Sequence, residues 1–171
     1  MVAVALWEEL LFRGVLIQNT LEGLAARGIE RRTAVAIALG GSALVFGLLH
    51  VTAVARGASA VFAVVQAVVA GFYFGLAYVL TESLGFPVGL HFSTNLWVVS
   101  VFGQPDSAFP ALLRLERDLQ AGPEPIVAGL LSTAVLVALV IGWVRFTRNE
   151  LSIADSLLFP PGRAPSETAT D

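Results

Sequence analysis

The stretch from Thr33 to Ala55, TAVAIALGGSALVFGLLHVTAVA, holds 23 residues between Arg32 and Arg56, none of them Asp, Glu, Lys or Arg. A helix rises about 1.5 Å per residue, so about 20 apolar residues cross the roughly 30 Å hydrocarbon core of a bilayer. The pattern recurs along the chain. Uncharged runs of 25, 23 and 20 residues separate Arg56 from Glu82, Glu82 from Asp106, and Glu124 from Arg145. In lipid every backbone polar group must be paired inside the protein, which selects helix over open strand. The opening segment, Met1 to Ala26, is apolar too but carries Glu8, Glu9, Arg13 and Glu22. No basic region precedes it, so it does not read as a signal peptide. It reads as a fifth span with its charges facing protein. The fold expected is all-α, a polytopic membrane helical bundle of about five transmembrane helices, near residues 1–26, 33–55, 58–81, 87–103 and 126–147.

Composition agrees. The chain has 171 residues, 56% of them hydrophobic and 13% charged, with a mean hydropathy of +0.79. A soluble domain carries roughly 25% charge, so an ordinary soluble enzyme is excluded. A net charge of −3 gives no electrostatic support for nucleic-acid binding. The absence of Cys removes disulfides, thiolate catalysis and thiolate metal sites.

The connections are mostly short. The run TESLGFP, Thr81 to Pro87, has the Gly and Pro of a helix break, with Pro87 placed to open the next helix. Residues 104–125 carry four prolines, and Leu112, Leu115 and Leu119 lie near one helical face. That segment reads either as a short interfacial helix or as a solvated loop. Residues 1–148 form one transmembrane domain, and 149–171 read as a polar, disordered tail. With five spans, Arg27, Arg31 and Arg32 fall on the same side as Arg145 and Arg148. The positive-inside rule makes that side cytoplasmic, while Arg114 and Arg117 oppose it.

Ionisable groups at membrane depth are costly and usually mark function. The first helix carries Glu8, Glu9 and Arg13 in WEELLFRG, the second His50 in FGLLH, the fourth His91 and Asn95 in HFSTN. Glu9 and Arg13 are four apart and share a face, as an ion pair would. Glu8 is turned about 100° from that face and needs another partner. A carboxylate in a dry site suits a general base. His91 and Asn95 also share a face and offer two donors to one developing negative oxygen. Phe46 and His50 are spaced for ring packing. Each element taken singly also fits a structural ion pair or an interhelical hydrogen bond. Gly40, Gly41 and Gly47, and Gly71 with Gly75, are small residues at helix-contact spacing. Tyr73 and Tyr78 read as packing or interface residues.

Glu8-Glu9-Leu-Leu-Phe-Arg13, Phe46-Gly-Leu-Leu-His50 and His91-Phe-Ser-Thr-Asn95 together resemble the motifs of the CAAX-processing and bacteriocin-processing (CPBP, or ABI) membrane endopeptidases. The resemblance covers roughly residues 5 to 103. It implies a type II CAAX prenyl protease-like intramembrane endopeptidase. By that resemblance Glu8 activates a water, His50 helps hold it, and His91 and Asn95 form the oxyanion site, with Glu9, Arg13 and Phe46 in support. Family members carry several helices before the E-E motif. Seven residues precede Glu8 here, so the resemblance implies that N-terminal helices of the family are missing.

Three functions compete on these residues. The first is a glutamic endopeptidase without a cofactor. The second is a zinc protease with Glu8, His50 and His91 as the His₂Glu ligand set, although no H-E-x-x-H is present. The third is a non-catalytic membrane protein, an immunity factor or a carrier. The partners expected are membrane lipid and a peptide or lipidated protein substrate, with no nucleic acid, in an integral protein of the cell membrane.

Overall fold

The structure, a computed structural model, describes residues 1–51, 60–97, 99–100 and 124–159. The described residues contain helices and no strand. The first helical rod runs as α1 (Val2–Glu9), a π-helical stretch (Leu10–Ile17) and α2 (Gln18–Ala25). Then come α3 (Arg31–Leu49), α4 (Ala60–Thr81), α5 (Gly85–Trp97), α6 (Glu124–Arg148) and the short α7 (Asp155–Leu158).

The turn between α2 and α3 follows from its sequence. Gly28 sits at φ +82°, Ile29 N–H donates to the Leu24 carbonyl (3.2 Å) and Gly28 N–H to that of Ala25 (3.0 Å). This is a Schellman closure, which needs a residue without Cβ strain at the glycine position. Glu30 then caps α3, its carboxylate accepting from the Arg32 and Thr33 amides at 3.1 and 3.0 Å. At the far end His50 closes α3, its ring Nδ1 2.7 Å from the Phe46 carbonyl in the last turn.

α3 and α4 pack antiparallel at close range. A Cβ on Gly47 would lie 2.8 Å from Val68 N and 3.0 Å from Val64 O, and one on Gly71 would lie 3.1 Å from Ala43 Cα. A Cβ on Gly75 would press on Leu39. Small residues at those three positions let two backbones approach, the usual device for helix contact in lipid. Gly40 and Gly41 do not take part, contrary to the sequence expectation. A Cβ on either meets nothing within 4 Å, because both point away from α4. The rod lies along α3, where Ser42 Oγ donates to the Phe12 carbonyl (3.3 Å). α6 buries Val140 and Val144 and exposes Leu131, Val135 and Leu139, an apolar face suited to lipid.

The five expected helical segments are present, but three helices among the described residues are long and apolar enough to cross a membrane: Arg31–Leu49, Ala63–Thr81 and Leu131–Arg148. The first rod, roughly 36 Å from Val2 to Ala25 at 1.5 Å per residue, is long enough; its four charged side chains set it apart. α5 has 13 residues. The interfacial element expected within 104–125 lies mostly outside the described residues.

The tail is corrected in part. Residues 149–159 are not a disordered extension. Ala154 N–H donates to the Val79 carbonyl (3.0 Å), Leu157 is buried against α3 and α4, and Arg31 Nε donates to the Leu157 carbonyl (2.9 Å). The polar average of the tail conceals Ile153, Ala154 and Leu157, spaced to cover one apolar patch. Arg148 reaches the same end, donating to the Leu80 and Thr81 carbonyls at 3.1 and 2.8 Å. Arg31 and Arg148 thus share one end of the bundle, as the span count requires.

Candidate functional site

The site grows from the first rod. Glu9 and Arg13 are both fully buried. Arg13 Nη1 donates to Glu9 Oε1 at 3.2 Å, and Nε lies 3.0 Å from Oε2, a charge contact without hydrogen-bond alignment. Arg13 Nη2 donates to the Gly71 carbonyl at 2.6 Å. The rings of Phe12, Phe46 and Phe74 surround its guanidinium at 5.3 to 5.8 Å, within cation–π range. A buried charge is tolerated only when paired and hydrogen-bonded, and Arg13 has both forms of compensation.

Glu9 has a second partner, His91 Nδ1 at 2.8 Å. An ionised carboxylate only accepts, so this nitrogen carries the proton. His50 Nδ1, facing the Phe46 carbonyl, carries its proton for the same reason. Both rings therefore present Nε2 elsewhere, and both Nε2 atoms face Glu8. Glu8 Oε2 lies 3.7 Å from His91 Nε2 and 4.0 Å from His50 Nε2. It is buried with no hydrogen-bond partner. In neutral rings these are three acceptors turned on one another. The spacing calls for a donor shared between them, and a water supplies two protons to such a set. Among the described residues no group of three or more His, Asp or Glu is arranged to hold a metal ion.

The structure thus brings Glu8, Glu9, Arg13, Phe46, His50 and His91 together from three helices. Asn95 lies one turn beyond His91 on α5 and is half-buried. No hydrogen bond joins it to Glu8, His50 or His91 among the described residues.

Sequence reasoning placed the α4 helix but missed its part in the site, since it carries no Asp, Glu, Lys, Arg or His. It contributes the Gly71 carbonyl to Arg13 and the Phe74 ring, stacked on His91 at 4.7 Å and 14°. It also contributes Tyr73, buried and hydrogen-bonded to Thr94, the neighbour of Asn95. The signal was the run GFYFG, Gly71 to Gly75, where two glycines bracket three aromatics. Residues 1–97 of the chain match the family described as type II CAAX prenyl endopeptidase, Rce1-like. No curated protein and no solved structure matches the chain.

Proposed function

Because this chain belongs to the Rce1-like type II CAAX prenyl endopeptidase family, a family of intramembrane proteases, we propose that it is an intramembrane endopeptidase of glutamic type acting on a lipidated or membrane-associated protein. Glu8 Oε2 takes a proton from a water, and His50 Nε2 accepts that water's second hydrogen bond. The water oxygen adds to the scissile carbonyl carbon. Negative charge collects on the carbonyl oxygen, at the oxyanion site assigned to His91 and Asn95, where Asn95 Nδ2 donates. Glu8 then returns its proton to the leaving amine as the C–N bond breaks. The observation that carries this reading is the unpartnered, buried Glu8 Oε2 with two imidazole Nε2 atoms turned toward it.

The competing assignment is zinc held by Glu8, His50 and His91. The chelation arm of the test below separates it from the glutamic reading. The test uses the full chain in lipid, incubated with prenylated and unprenylated peptides bearing a CAAX end. Glu8→Gln is expected to slow cleavage by roughly 10²–10⁴-fold, the usual contribution of a general base, with helicity and monodispersity retained. Asn95→Ala is expected to cost about 10²–10³-fold. Full activity in Glu8→Gln overturns the mechanism. Loss of activity on chelation, restored by zinc, assigns the chemistry to a metal. Peptides left intact by the unmutated chain favour an immunity factor or a carrier. The same reading places the protein in the cell membrane.

A further inference from the structure

A histidine ring is poorly fixed by its own torsions, because rotation about its Cβ–Cγ bond is broad. One hydrogen bond at Nδ1 anchors an atom of the ring but leaves its plane free to tilt. The plane matters here, since it aims the Nε2 of His91 at Glu8. Something other than Glu9 must hold it.

We propose that Phe74 is a positioning residue for the peptidase reaction: its stacked ring fixes the plane of His91 so that Nε2 faces Glu8. The proposal rests on the reading of Glu8 and His91 given above. The two rings are 4.7 Å apart and 14° from parallel, and Phe74 is almost fully buried. Phe46 closes the arrangement edge-on, at 5.9 Å and 75° from His91. An offset-stacked pair of this kind has a geometric preference beyond area burial. Phe74 also lies 5.6 Å from the Arg13 guanidinium. It therefore touches both ends of the series Arg13, Glu9, His91, and a shift of Phe74 would be felt at each.

The backbone explains why an aromatic ring can stand there. A Cβ at Gly71 would come within 3.1 Å of Ala43 Cα and Phe46 Cβ, so α4 runs close against α3 just one turn before Phe74. That approach brings the Phe74 ring to 6.3 Å from Phe46 and onto the face of His91. The contribution of α4 to the reaction is thus an aromatic surface, on a helix whose sequence shows only apolar residues at this level.

The chain has two histidines, so [¹⁵N]histidine labelling of the full chain in lipid nanodiscs reports two rings, and His50→Gln assigns them. Phe74→Met fills the space with a flexible apolar side chain and removes the flat face, whereas Phe74→Tyr keeps the face. The unmutated chain is expected to show a sharp His91 signal from one ring orientation with its proton at Nδ1, and Phe74→Met the same tautomer with a signal broadened by tilting of the ring. In Phe74→Met, kcat should fall about 10–100-fold with KM changed less than about twofold. Phe74→Tyr should restore both readouts. A His91 signal and a kcat that Phe74→Met leaves unmoved overturn the proposal, as does a His91 signal already broadened in the unmutated chain. Should that chain cleave no peptide while Phe74→Met still frees the His91 ring, the peptidase reading falls and the hold of Phe74 on His91 stands.

Discussion

Arg13 ties several parts of the interior together. It pairs with Glu9, donates to the Gly71 carbonyl and lies among three phenylalanine rings. Removing one partner of a buried ion pair strands the other, at about 3–5 kcal/mol. Arg13→Ala is therefore expected to lower the yield of folded protein and to lower activity with it. Arg13→Lys should recover folding in part, because an ammonium keeps the charge but loses the planar fork. Unchanged thermal stability in Arg13→Ala would remove the pair from any structural role. The Glu9–Arg13 contact was legible in the sequence because a spacing of four puts two side chains on one helix face. The Glu9–His91 bond was not, because nothing in a one-dimensional spacing says that residues 82 positions apart meet. Phe74 was illegible for another reason: a phenylalanine in an apolar helix reads equally as lipid-facing or as buried.

At the scale of elements, the α3–α4 contact depends on Gly47 and is indifferent to Gly40. Gly47→Ala pushes a methyl against the Val68 backbone amide and should destabilise by about 1–3 kcal/mol, the usual cost of overpacking. Gly40→Ala meets open space and should be neutral or stabilising by up to about 1 kcal/mol, the difference in helix propensity. Thermal melts of the two variants in one detergent decide it. The sequence showed that small residues lay on this helix, but not which of them faced α4, since that depends on the register of a partner helix. The Glu30 cap gives a pH dependence. Hydrogen bonds from the Thr33 and Arg32 amides hold its carboxyl below the usual glutamate range. A lowered pKa means that the cap stabilises fully above the unfolded value and is lost as pH falls through the folded one. The melting temperature of Glu30→Ala should therefore trail the unmutated chain at neutral pH and converge with it in acid.

Over the whole molecule the uncharged gaps determined the architecture, because bilayer thickness sets a length that the chain must satisfy. The same gaps measure lack of charge and not the length of each helix: among the described residues three helices are long and apolar enough to cross a membrane, and α5 has 13 residues. The returning segment 149–159 was missed because its apolar residues, among polar ones over eleven positions, are too few to set a periodicity. Truncation after Arg148 should cost about 1.5–3 kcal/mol through Leu157 alone, measured as a lower midpoint of thermal unfolding in lipid.

That returning segment also ties down one end of the bundle. Around Val79 to Thr81 the chain is stitched by Ala154 and Arg148, while Arg31 holds the returning Leu157 carbonyl. Toward the other end of α3, among the described residues, His50 caps the helix and faces Glu8. Breathing motions of the helices should therefore be damped around Val79 to Thr81, like a hinge fixed at one edge. Amide deuterium exchange in nanodiscs should be slow across that stretch. A long, partly greasy guest would then slip between the helices without undoing the seam that keeps them in register.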